Sequence, residues 1–270
     1  GATPAPGTTQ ETQAPDSRAY RCSGLGVLQG KTGELCLGLW TYMRYINQMQ
    51  LDTSYIDSFG RTFRIKRRHD IQNQKVTLFF KGWIYDPRLS YKMFVWTANT
   101  SQGDAGQLAL GGLLSWTFSP RFTLAAGAGP LPSTRSTQGT FPNWIKVDHR
   151  TIADEYFRGS YSTGVWVQGE AMEGLKYYAM LANNLSGFAV DAQELDNLLN
   201  TWSTALWWMP TTREFGPLEG IGDFDHHERI ATLVGLRFTR TREDRQSQPG
   251  TEDIENTQLR ISDGTNILVG

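Results

Sequence analysis

With 270 residues, a net charge of −1, 39% hydrophobic and 20% charged residues, the chain has room for one large domain or two small ones and carries no global field to draw a polyion. No run of 18 apolar residues occurs. That excludes a transmembrane helix but not a strand-built membrane wall, whose strands need only about 9–11 alternating residues and keep the mean hydropathy low, here −0.42. Aromatic residues make up 12%, nine Trp among them, which suits the interfacial girdles of a barrel or the aromatic core of a soluble β-protein.

Residues 1–33 read as a disordered tail rich in Pro, Thr, Gln and Ala, followed by an irregular lead-in from residue 20. The start at Gly1 has no charged and apolar leader pattern, so any secretion signal is expected to have been removed. Cys22 and Cys36 fit either a disulfide in an oxidising compartment or two free thiols. A first strand is expected over Glu34–Tyr45, with Leu35, Leu37 and Leu39 on one face, and then a loop over 46–60. The second strand is read as one long run, Arg61–Tyr85. Its start puts Arg64, Lys66 and Arg68 on one face, and its later part puts Val76, Leu78 and Phe80 on one face opposite Thr77 and Lys81. The parity change between them calls for a β-bulge near Asn73–Lys75 or for a break into two strands.

After a tight turn at Asp86-Pro87-Arg88, the third strand shares Leu89, Tyr91, Met93, Val95 and Thr97 on one face against Lys92 and Trp96. A polar stretch, 99–106, precedes a fourth strand with Leu108, Leu110, Leu114, Trp116 and Phe118 on one face. A second tight turn, Ser119-Pro120-Arg121, leads to a fifth strand over Phe122–Ala128. The pattern then stops over 129–160, long for a structureless loop. Residues 148–158 within it read as a short helix capped by Asp148, with Asp154 and Arg158 paired at i,i+4. Strands over Tyr161–Gly169 and Leu175–Ala182, a short helix over Ala192–Asn200, a strand over Ser203–Met209, an acidic Gly-rich stretch and a ninth strand over Arg229–Thr239 follow. That last strand directs Val234 and Leu236 outward and Arg237 inward.

Short turns alternate with long loops, as in an outer-membrane antiparallel β-barrel. Barrel counts in bacterial chains are even. Nine strands, with a C-terminus lacking an aromatic final strand, therefore imply that residues 34–270 are the N-terminal part of a longer protein.

Four segments carry a family resemblance: FRIKRR (63–68), GWIYDPRLSY (82–91), DHRTIADEYFRGSY (148–161) and ENTQLRISDG (255–264). The chain from about residue 34 onward resembles the phosphate-selective porins O and P. The resemblance implies a 16-stranded transmembrane barrel, a homotrimer in the bacterial outer membrane and an anion-selective pore with an arginine ladder and lysines near its constriction. In porins generally the third long loop folds into the lumen. Counting long loops here makes that loop 129–160.

On this reading Arg64, Lys66 and Arg68 form a cationic stripe on the lumen wall, or else a solvated rim. Lys81, Lys92 and Arg237 are further pore-lining candidates. Arg135, Arg150 and Arg158 line the constriction, with Arg158 alternatively held by Asp154, and Tyr156 and Phe157 anchor the loop inside. The apolar faces, from Leu35, Leu37 and Leu39 through Val76, Leu78, Phe80, Tyr91, Met93, Val95, Leu108, Leu110 and Leu114 to Val234, should share the lipid-facing side of one sheet. The partners expected are small anions such as phosphate and outer-membrane lipid. No nucleic acid is expected, because the charges form no patch.

Gly222–Glu228 holds His and acid residues without metal-ligand spacing, and a polar turn is the simpler account. No metal, cofactor or catalytic motif is expected, and the chain is not read as an enzyme. The competing reading is a soluble secreted β-domain that binds a glycan or other ligand on an aromatic face. The two differ in where the apolar faces point: outward from a barrel, inward in a sandwich.

Overall fold

The computed structural model describes residues 24–56, 60–64, 67–98, 107–134, 161–185, 187, 196, 198–215 and 226–243. Every regular element among them is a strand. They are β1 (Leu25–Gly30), β2 (Gly33–Asn47), β3 (Ser54–Ile56), β4 (Thr62–Arg64), β5 (His69–Ile84), β6 (Asp86–Ala98), β7 (Gln107–Ser119), β8 (Phe122–Pro130), β9 (Tyr161–Met172), β10 (Leu175–Asn183), β11 (Thr201–Trp208) and β12 (Val234–Thr241). Ten form a single sheet in the order β1-β2-β5-β6-β7-β8-β9-β10-β11-β12, and β3 and β4 form a separate hairpin. All neighbours pair antiparallel, so the sheet is an up-and-down meander with β1 and β12 at its edges. The all-β class and the antiparallel sheet are as expected.

Several element boundaries differ from the sequence reading, each for a local reason. The lead-in contains β1, so the main sheet has ten described strands rather than nine. A register shift between Gly26 and Leu28 puts Leu25 and Leu28 on one face, opposite Leu37 and Leu35, which destroys the period-2 signal. Gly24 approaches its neighbour so closely that a Cβ would lie 2.5 Å from the Leu37 carbonyl oxygen.

The run 61–85 is not one strand. β4 ends at Arg64 in the small hairpin, and β5 begins at His69. The parity change is a bulge: Tyr42 pairs with Lys75 and Met43 with Asn73, leaving Gln74 as the extra residue of a continuous β5. The β5–β6 connection is tighter than expected. Tyr85 alone turns the chain, at φ 62°, and its N–H donates to the Thr32 carbonyl at 2.8 Å. The helix expected over Ala192–Asn200 is not seen at the described residues 196 and 198–200. The Asn200 side chain there accepts from the Asn184 N–H at 2.7 Å and donates to Asp196 at 2.9 Å, tying the loop to the end of β10.

The short connections at 31–32, 85, 120–121 and 173–174 all fall at one end of the sheet. The connections 48–68, 99–106, 131–160 and 184–200 fall at the other. The β11–β12 connection, 209–233, departs from this pattern by lying at the short-turn end.

Register assigns the two faces. Leu39, Leu78, Val95 and Leu110 form one cross-strand row, and Leu114, Ala126, Val165, Leu181 and Trp202 form another on the same face. All the apolar residues expected together, from Leu35 to Val234, lie on this face. It is open: Leu110 is 71% exposed and Met93 57%, and neither is packed between two sheets.

The opposite face is covered. Trp166 is 4% exposed, and it clusters with Ala125, Tyr178, Met180, Ala182 and Leu131. A single sheet can cover one face only by curling or by folding its own connections onto it, and both devices occur. The rings of Phe94 and Trp96 on β6 meet Tyr161 on β9 at 5.9 and 5.5 Å, across two strands. Leu131, just past β8, is fully buried in the covered-face cluster.

Candidate functional site

The strand parity that exposes aliphatic residues, and rings such as Trp116 and Trp202, on one face directs polar residues and a second set of rings to the other. Hydroxyl pairs cross the covered face at Ser90–Ser115 (2.6 Å), Thr117–Thr123 (3.3 Å), Ser203–Thr239 (2.6 Å) and Thr201–Thr241 (2.6 Å). Each satisfies its partner within the sheet.

Two lysines stand side by side on this face. Lys81 on β5 pairs directly with Lys92 on β6, which sets their Cβ atoms about 4.5–5.5 Å apart. Like charges in that position destabilise a sheet. Part of the cost is offset by rings: the Lys81 ammonium is 5.5 Å from the Phe79 centroid, and the Lys92 ammonium is 6.0 Å from Phe79 and 5.8 Å from Phe94. Phe79 in turn lies over Gly38 opposite it, where a Cβ would come within 1.9 Å of the ring as placed. In the next row Glu34 accepts a hydrogen bond from the Trp83 indole at 3.1 Å. The arrangement presents two ammonium groups and neighbouring hydroxyls to one space, a donor set that an anion can engage.

The other sequence candidates are dispersed. Arg237 is on the covered face, but at the edge strand β12, with its guanidinium 5.3 Å from the Trp207 ring centroid. Arg64 belongs to β4, outside the ten-stranded sheet, and Arg68 lies in the link to β5, ion-paired to Asp70 at 2.6 Å. Arg64 and Arg68, the described ends of the expected stripe, therefore do not share a strand. Lys66 lies outside the described residues, as do Arg135, Arg150, Tyr156, Phe157 and Arg158. The described start of their segment, 131–134, is largely buried, and Leu131 packs on the covered face.

At the short-turn end, His227 hydrogen-bonds Glu214 at 2.7 Å and lies beside Phe215. Among the described residues no group of three His, Cys, Asp or Glu side chains is placed to hold a metal ion. Cys36 is fully buried on the covered face and disulfide-bonded. Cys22, the other cysteine of the sequence, lies outside the described residues.

The sequence reading did not single out the aromatic surround of the lysines. Phe79 and Phe94 have the parity of Lys81 and Lys92, and that was the available signal. Tyr161 joins them only through the tertiary fold.

No protein-family profile, curated protein or solved structure matches the chain.

Proposed function

We propose that the chain forms the wall of an outer-membrane diffusion channel for small anions, phosphate among them. The observation that carries this reading is the Lys81–Lys92 pair on the covered face of a sheet whose other face is apolar and open. Each large aliphatic side chain left in water forgoes roughly 1.5–3 kcal/mol of burial, and the open face has many of them. Hydrocarbon around the sheet removes that cost, and it requires the strands to close into a ring so that no edge is left unpaired. The competing soluble domain would offer an aromatic face to a ligand. The rings here divide between the faces: Trp116, Phe118, Trp202 and Phe238 stand among Leu, Val and Met on the open one, and Phe79, Phe94, Trp96 and Trp166 are on the covered one, so neither face is a separate aromatic platform.

The burial of Leu131 on the covered face fits a connection that starts toward the lumen at 131–134. In this channel Lys81 and Lys92 attract the anion, the neighbouring Ser90 and Ser115 hydroxyls replace part of its water shell, and weak multi-site binding lets it leave. Arg237 contributes from a separate row. The disulfide at Cys36 suits an oxidising compartment, as for an exported protein. Trimeric assembly belongs to the same proposal, by resemblance to the phosphate-selective porins.

The test is the reversal potential of the protein in a planar bilayer under a KCl gradient. Anion preference is expected for the wild type, with reversal to cation preference in the double variant Lys81→Glu/Lys92→Glu. A cation-selective wild type, or a double variant with unchanged selectivity, refutes the assignment. Competition of phosphate against chloride conductance then decides whether phosphate is favoured.

A further inference from the structure

A carboxylate stands beside the Lys81–Lys92 pair, and the attraction of anions does not account for it. On the covered face, register sets the side chains of β2, β5, β6 and β7 in successive cross-strand rows. Glu34 on β2 lies opposite Trp83 on β5, and Trp83 opposite Ser90 on β6. The next row holds Lys81 and Lys92, and the row after it Phe79 and Phe94. Among the described residues of these three rows, Glu34 is the only acid and the two lysines are the only cations.

The acid and the ammonium groups are held apart. The Glu34 carboxylate accepts from the Trp83 indole at 3.1 Å, and its backbone is fixed by the Tyr91 hydroxyl, which donates to the Glu34 carbonyl at 3.1 Å. Glu34 forms no ion pair with a described residue. The ammonium groups lie by the Phe79 and Phe94 rings, in the row on the far side of the lysines from Glu34. Rows on one face are about 6.4–6.8 Å apart, so opposite charges look into one space from two levels. Glu34, Trp83 and Lys81 are half-buried and Lys92 is exposed, which leaves both levels open to a solute. The level of Glu34 suits a cation in other ways too. The indole offers it a ring face, and Ser90, bonded to Ser115 at 2.6 Å, offers it a hydroxyl oxygen.

We propose that this part of the covered face takes a small zwitterion of the amino-acid class, with its carboxylate on Lys81 and Lys92 and its ammonium on Glu34 beside Trp83. The proposal rests on the lysine pair being a solute site, as in the channel reading, and it names the solutes that the site distinguishes. Phosphate or chloride engages the cationic level alone and is repelled by Glu34. A zwitterion satisfies both levels at once, and such charge complementarity is a source of specificity.

The test compares γ-aminobutyrate with butyrate, which has the same chain and carboxylate but no ammonium. Binding to the full chain folded in detergent is read by isothermal titration calorimetry at neutral pH and low salt, where screening is weak. The wild type should bind γ-aminobutyrate about tenfold more tightly than butyrate, the effect of one added charge-assisted contact. In Glu34→Gln the two ligands should bind alike, because glutamine keeps an oxygen for the Trp83 indole and loses the charge. Lys92→Gln should weaken both ligands by a similar factor, since both lose the same carboxylate contact.

Equal binding of the two ligands by the wild type overturns the proposal, and that comparison needs no variant to fold. A preference that survives Glu34→Gln overturns it as well. The reversal potential under a KCl gradient is measured on the same preparation. An anion-preferring pore that does not favour γ-aminobutyrate overturns the zwitterion site alone. A Glu34-dependent preference in a protein that forms no anion-preferring pore supports the site and overturns the channel reading.

Discussion

Lysine opposite lysine is an unfavourable cross-strand pair, and it separates stability from function at the scale of single residues. Removing one charge, as in Lys92→Gln, should raise stability by about 0.2–1 kcal/mol while weakening anion preference. The first effect is read from the urea midpoint in detergent and the second from the reversal potential. A variant that loses stability and keeps its selectivity would make the pair a packing feature.

A second residue-scale device recurs twice. Gly82 exposes the Glu34 carbonyl, and Tyr91 crosses the gap to donate to it at 3.1 Å; Gly169 exposes the Arg121 carbonyl, and Tyr177 donates to it at 2.7 Å. A Cβ on Gly82 would sit 1.7 Å from a backbone oxygen, whereas one on Gly38 would meet a Phe79 ring that can turn aside. Gly82→Ala should therefore cost about 1–3 kcal/mol and more than Gly38→Ala. Tyr91→Phe should cost about 0.5–1.5 kcal/mol. Equal losses at the two glycines, measured by urea unfolding, would contradict this account. The aromatic parity around the lysines was legible in the sequence. The glycine contacts were not, because the partner of Gly82 is more than forty residues away and only register brings it there.

At the scale of elements, the bulge in β5 makes an unusual deletion tolerable. Gln74 is the residue without a partner on β2, so deleting it restores plain pairing and leaves both faces as they are. Deleting Thr77, three residues further, shifts the register of the strand's end by one and turns its apolar set to the wrong face. The first variant should fold and the second should not, as judged by protease resistance in detergent. If both fold equally well, the faces are not what specifies the register. The alternation of Val76, Leu78 and Phe80 was readable without a structure. The separation of β4 from β5 was not, since FRIKRR has strand-like composition throughout and the Gln48–Arg68 tie at the base of the link joins residues distant in sequence.

At the scale of the whole molecule, the described residues form one ten-stranded meander with a covered face and an open face, beside a small hairpin, and behaviour in solution should follow from the meander. Folding should require detergent or lipid. Thiol titration of the unreduced, denatured chain should detect no free thiol, because Cys36 is already bonded and the sequence has only one other cysteine. A titre of two thiols would remove the argument for an oxidising compartment.

Period-2 alternation is local, so the sequence alone determined the all-β class, the strands β2 and β6 to β11 to within a few residues and the residues that share the open face. Hairpin connections too short for a crossover also made the antiparallel order legible. Only the tertiary structure decided that β1 joins the sheet, that β4 stands apart from β5, that Lys81 faces Lys92 and that Leu131 turns onto the covered face. Each of these depends on register between distant residues or on where a loop packs. Such contacts are settled by burial and hydrogen bonding across the whole fold, and no short stretch of sequence encodes them.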